Sequence, residues 1–269
     1  MRDGEVMFGG LTIARPYGIP IKLHWTLLIF LPFIAFNMAE TLGVRSAGWG
    51  WLAALGLLAS VALHELGHSL VARGRGYPVR DIVLTPIGGV AFLTRSPRRP
   101  TDELVIAIAG PVVSIALAVL AWAASPWFLA AGASHLANTI HFLGSINLAL
   151  AVFNMLPSFP MDGGRVYRAW LANRVGRLEA TRRAVRLGRI FAVLFAIVGL
   201  FSTNLLLVVI AFVVWQAASA EYRMVQMQER PPYPPFAGFI DPLSVFQTPA
   251  NRRGPEIVDV EVGPPPYKR

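Results

Sequence analysis

Long apolar runs alternate with short polar segments along this chain, and their lengths set the first expectations. Six runs, at about residues 23–39, 48–72, 102–124, 135–157, 187–201 and 203–221, are each near the roughly 20 residues that carry a helix across a bilayer. The last two are parted only by a tight turn at Thr203 and Asn204, so they read either as two spans or as one broken hydrophobic hairpin. Residues 77–95 follow a different pattern. They are short, β-branched and interrupted by Pro86, Gly88 and Gly89, which predicts a β-hairpin or re-entrant segment rather than another span. The expected fold is therefore an all-α polytopic membrane protein of about six transmembrane helices, with this short segment after the second.

Residues 1–22 read as a cytoplasmic N-terminal segment, 23–222 as one membrane domain and 223–269 as a cytoplasmic tail. From residue 231 onward the tail carries Pro-Pro-Tyr-Pro-Pro and Gly-Pro-Pro-Pro-Tyr, shows no periodic apolar face, and is expected to be extended or disordered.

Composition agrees with the pattern: 55% of residues are hydrophobic and only 14% charged. A net charge of +9 raises the question of nucleic acid. The basic residues, however, gather between the runs: Arg73, Arg75, Arg80, Arg95, Arg98 and Arg99 in one segment, and eight arginines within 165–189 in another. The opposite connections, near 40–47, 125–134 and 201–204, hold Arg45 as their only basic residue. This asymmetry is the positive-inside pattern, so the charge reports topology and no nucleic-acid partner is expected. Both Arg-rich segments and both termini are assigned to the cytoplasm. With no cysteine in the chain, a metal site has to be built from His, Asp or Glu.

Such residues occur within the second run as His64-Glu65-Leu66-Gly67-His68. Four-residue spacing puts both imidazoles on one helix face, one turn apart, as a two-histidine grip for zinc, with Glu65 beside them to accept a proton from water. Ionisable groups in an apolar span are costly, which favours function over an idle occurrence. A catalytic zinc needs a third protein ligand and an open position. Asp162 is the best candidate, lying where Pro157 and Pro160 break the chain and Gly163 and Gly164 allow close packing. Capping the following helix is the competing role for Asp162. His24, His135 and His141 lack partners at ligand spacing and are read as interfacial or structural. Asn147 is read as a polar contact between helices.

The pair H-E-x-x-H and N-x-x-P-x-x-P-x-D-G, here running from Asn154 to Gly163, resembles the site-2 protease family of intramembrane zinc metalloproteases, peptidase family M50. Gly18-Ile19-Pro20-Ile21, Pro86-Ile87-Gly88-Gly89-Val90 and Ala109-Gly110-Pro111 are similar to its compact bacterial branch, without PDZ or CBS domains. Met161 and Ser114 stand where members often carry Leu and Asn. The resemblance implies one Zn2+ per chain held by His64, His68 and Asp162, with Glu65 as base and Asn154 as an oxyanion donor or a tie for broken backbone. The substrate it implies is a single-span membrane protein such as an anti-sigma factor, a tethered transcription factor precursor or a remnant signal peptide. The segment from Pro86 to Phe92, with Gly88, Gly89 and Val90 at its centre, is expected to take an extended substrate by strand addition. A metal transporter and a non-cutting relative are the alternatives, and retention of Glu65 argues against both.

Overall fold

The computed structural model describes residues 10–43, 47–86, 88–97 and 99–229. Of the expected tail at 223–269, residues 223–229 continue the last helix and the rest lies outside this range, as do the first nine residues. The described chain is β1 (Gly10–Ala14), a 3-10 turn (Pro16–Gly18), β2 (Ile21–His24), α1 (Trp25–Thr41), α2 (Ala47–Gly74), β3 (Val79–Thr85), β4 (Gly88–Leu93), α3 (Pro100–Ala130), α4 (Ser134–Asn154), α5 (Asp162–Val175), α6 (Arg177–Phe201) and α7 (Leu205–Glu229).

Among the described residues, five helices, α2, α3, α4, α6 and α7, are long and apolar enough to cross a membrane, and the apolar α1 has 17 residues. This is a multi-pass membrane protein. Its lipid-facing character is visible in large side chains that water would not tolerate together: Phe30, Phe33, Phe36, Val119, Leu120, Leu200, Phe201 and Phe212 are all exposed. Polar side chains also join the helices. Asn147 of α4 donates to Ser60 Oγ of α2 at 2.9 Å, the interhelical use expected for it.

The predicted hairpin forms as β3 and β4, paired antiparallel, but the sheet is larger than the sequence pattern indicated. Strand order is β1-β2-β3-β4, with β2 parallel to β3 and β4 on an edge. Residues 10–24 thus supply two strands. Ile21, Leu23, Ile82 and Leu84 of this sheet form one buried cluster with Leu66 of α2, Leu27 of α1 and Ile19. Leu66 lies within the H-E-x-x-H segment, so the sheet is seated on the helix that carries the histidines.

One stretch differs from its expected form, and one open alternative is settled. Residues 165–189, read as a charged connection, are helical: they make up most of α5 and the first half of α6. Their charges are compatible with helix because many arginines point outward while Ala180, Thr181, Ala184, Val185 and Gly188 face inward. The last two runs resolve as separate helices around a turn at 202–204, where Thr203 has φ 52.

Candidate metal centre

Each residue of the centre is delivered by a different local device. His64 and His68 stand one turn apart on the continuous helix α2, and both are buried. Asp162 comes from the first residue of α5, after a loop anchored by Phe159, packed on Ala184, Val185 and Ala218, and by Met161, packed on Ala192 and Val214. Gly163 and Gly164 fit tightly here, because a Cβ on either would collide with backbone of residues 155–159. Met161, not Asp162, occupies the N-cap position of α5, and no side chain caps that end. The Asp162 carboxylate is turned instead toward the histidines.

The three donor atoms converge closely. Asp162 Oδ2 lies 3.2 Å from His64 Nε2 and 3.1 Å from His68 Nε2, and the two Nε2 atoms are 3.2 Å apart. Tetrahedral ligation with bonds of about 2.0–2.1 Å sets neighbouring donors about 3.3–3.4 Å apart, close to this spacing. Among the described residues this is the one group of three His, Asp or Glu whose ligand atoms lie within 4.8 Å of one another. His24, in contrast, caps α1 by accepting from the Thr26 amide, and His135 and His141 pack near Trp49 and Trp122.

The outer contact of His68 decides which of its ring nitrogens carries the proton. His68 Nδ1 is 2.7 Å from the Ile106 carbonyl oxygen, which only accepts, so this nitrogen carries the proton and the neutral ring leaves Nε2 bare. The Gly110 amide also approaches Nδ1, at 3.3 Å, but the shorter contact to the carbonyl decides the tautomer. His64 Nδ1 is 2.9 Å from Ser114 Oγ, and donation to that hydroxyl likewise bares Nε2. With His64 donating to Ser114, two bare nitrogens and a carboxylate oxygen face one another, an arrangement that a cation relieves. The residues present therefore fit a divalent metal. Gly110 completes the fit: a Cβ there would stand 2.6 Å from His64 Nε2 and closer still to His68 Nε2.

Ser114, Gly110 and the Ile106 carbonyl went unassigned in the sequence. Ser114 left a trace, as the lone hydroxyl in the apolar stretch 104–124, but a backbone carbonyl leaves none.

Glu65 sits beside the histidines against the edge of the sheet, where a Cβ on Gly89 would lie 3.0 Å from its Cδ. The structure thus brings Glu65 together with Gly89 of β4, and Val90 next to it is exposed, at 47%. Asn154 is the last residue of α4, and its amide donates to the Leu150 carbonyl oxygen at 3.0 Å. That bond uses one of its two amide hydrogens.

Comparison with known proteins bears on the same residues. The model of "Peptidase family M50" matches residues 52–132 and 128–198, a range that holds both histidines, Glu65, Asn154 and Asp162. The chain belongs to peptidase family M50. This M50 chain is 37% identical over 218 residues to zinc metalloprotease MJ0392 of Methanocaldococcus jannaschii, covering 81% of itself and 62% of that relative. It is 34% identical over 206 residues to the putative zinc metalloprotease Rip3 of Mycobacterium tuberculosis, covering 72% of itself and 52% of the relative. It therefore spans less than two thirds of either. Among solved structures, the site-2 protease from Methanocaldococcus jannaschii matches with a TM-score of 0.60 and 33% identity, over 80% of this chain and 96% of that one.

Proposed function

We propose that this M50 chain is an intramembrane zinc metalloprotease that hydrolyses a peptide bond within or near the transmembrane segment of a membrane-bound protein. The observation that carries this reading is the convergence of His64 Nε2, His68 Nε2 and Asp162 Oδ2 within 3.2 Å of one another inside a helical membrane protein. Zinc in the names of the M50 relatives supports the choice of metal.

His64, His68 and Asp162 hold one zinc, which when bound supplies the Lewis acid that acidifies water and polarises a peptide carbonyl. Glu65 accepts the water proton and returns it to the leaving amine. Asn154 keeps one amide hydrogen free of its bond to Leu150 and donates it to the developing oxyanion. A helical peptide bond has its carbonyl engaged, so the substrate must unwind before attack. The exposed edge of β4, at Gly88, Gly89 and Val90, receives the unwound strand, and contact between Gly89 and Glu65 brings it to the base.

The Arg-rich segments support a centre near the cytoplasmic face, with both termini on that side of a cell membrane. Twenty-two of the 24 basic residues are arginine, which favours a bacterial source of high GC content. The substrate is a single-span membrane protein, drawn from the anti-sigma factor, tethered transcription factor precursor and remnant signal peptide classes.

The test is cleavage of a single-span substrate by purified protein in liposomes, with zinc measured on each sample. Wild type should cut, and chelation should stop it. Glu65→Gln should keep its zinc while losing about 100-fold or more in rate. Cleavage that survives both chelation and Glu65→Gln would overturn the proposal.

A further inference from the structure

The histidines belong to α2 and Asp162 to α5, and one helix packs against both, namely α3. On α3, Glu103, Ile106, Gly110 and Ser114 recur at steps of three, four and four residues, which places them along one face. Three of them address the histidines: Ser114 Oγ holds His64 Nδ1 at 2.9 Å, the Ile106 carbonyl holds His68 Nδ1 at 2.7 Å, and Gly110 leaves room for both Nε2 atoms. Glu103 continues the same stripe but turns to α5, where it meets Arg168.

Arg168 is 4% exposed and fully engaged. Its Nε donates to Glu103 Oε1 at 2.7 Å, its Nη2 donates to the same oxygen, and its Nη1 donates to Glu221 Oε1 of α7 at 2.6 Å. Its guanidinium also lies over the Phe159 ring, 4.7 Å from the centroid. Phe159 precedes Asp162 by three residues and Arg168 follows it by six, so one side chain grips both the loop that leads to the ligand and the helix that bears it. Burying such a cluster costs desolvation that its attraction barely repays, and the best-attested use of a buried ionic group is to fix register.

We propose that Arg168, held by Glu103, is a positioning residue of the metal centre. It sets the rotation and height of α5 on α3 so that the Asp162 carboxylate meets the nitrogens that α3 has already oriented on α2. Arg168 touches neither metal nor substrate. The proposal rests on the zinc reading above, and a readout separate from catalysis tests it.

Full-length protein in detergent is stripped of metal and titrated with zinc against a chromophoric chelator. Parallel samples are loaded with cobalt(II) for absorption spectra, and the melting temperature of each metal-free form is recorded. The variants are Arg168→Met, Arg168→Lys and Glu103→Gln. Arg168→Met should bind zinc about tenfold or more weakly, and its cobalt bands should change as the carboxylate withdraws. Glu103→Gln should move both readouts in the same direction, and Arg168→Lys should recover part of the loss. Wild-type zinc affinity and cobalt spectra in Arg168→Met and Glu103→Gln would overturn the proposal, even if the metal-free forms melt lower. Glu103→Gln carries the same test if Arg168→Met does not fold. A wild type that binds neither zinc nor cobalt would overturn the metal reading, and the positioning role with it.

Discussion

At Gly110 one hydrogen in place of a methyl group keeps the space between the two imidazoles open. A Cβ there would meet His64 Nε2 at 2.6 Å and crowd His68 Nε2 further, while Ser114 and the Ile106 carbonyl hold the rings from behind. Neither ring can turn away without losing a buried hydrogen bond. Gly110→Ala should therefore lower zinc affinity by about tenfold or more while α3 stays helical, since Ala is the better helix former. Zinc titration beside far-ultraviolet circular dichroism checks both halves. Wild-type zinc affinity in Gly110→Ala would show that the rings yield. This role was not legible from the residue type, because a glycine in an apolar helix is equally compatible with helix packing, as at Gly67 against Val113 and Ala109. The mutual placement of His64, Glu65 and His68 was legible, because it depends on local helical spacing.

At the scale of elements, the sheet is joined to the first strands by a charged pair as well as by its apolar side. Lys22 of β2 donates to Asp81 Oδ2 of β3 at 2.8 Å, and Arg80 Nε lies 3.1 Å from Oδ1. Burial alone raises the Asp81 carboxyl, but hydrogen bonds and charge from Lys22 and Arg80 outweigh it and hold the group below its ordinary value. A depressed folded-state value gives stability that is fully present above the unfolded value of about 3.9 and is lost as pH falls through the folded one. Asp81→Asn should lower stability by about 1–2 kcal/mol near pH 7 and by less near pH 3, as thermal melting at the two values would show. A penalty as large in acid as at neutrality would argue that Asp81 acts through packing. The hairpin β3–β4 was visible as a break in the apolar pattern, whereas β1 and β2 were not. Their pairing depends on the parallel contact of Ile21, Lys22 and Leu23 with Ile82, Val83 and Leu84 across some sixty residues, which local alternation does not encode.

Across the whole molecule, charge and structure make one joint prediction about the membrane. Arg75 and Tyr77 bind Asp102, and Arg168 binds Glu103 and Glu221, so the C-terminal end of α2, the N-terminal end of α3, the middle of α5 and the C-terminal half of α7 lie together. These are the parts that the Arg-rich segments assign to the cytoplasm. The absence of native cysteine makes the test direct, because single cysteines can be introduced without removing any. A cysteine at Arg95 or Arg183 should react with an impermeant maleimide only from the cytoplasmic side, and one at Gly132 only from the other. Labelling of Arg95 and Arg183 from opposite sides would contradict the topology.

The sequence by itself determined what depends on short range and on solvent. Apolar run length indicated the spans, and helical spacing joined His64 to His68 with Glu65 between them. Asp162 was readable as the best candidate ligand with helix capping as the competing role, and the tertiary structure leaves that cap unmade and turns the carboxylate toward the histidines. Tertiary structure alone also turned the arginines of residues 165–189 from loop charges into helix, and put Arg168 between Glu103 and Glu221. It likewise recruited Ser114, Gly110 and a backbone carbonyl of α3 to the histidines of α2. The reason is physical: ring orientation, ion-pair partners and fit around a missing Cβ are fixed by groups far apart in the chain, and no local pattern records which groups will meet.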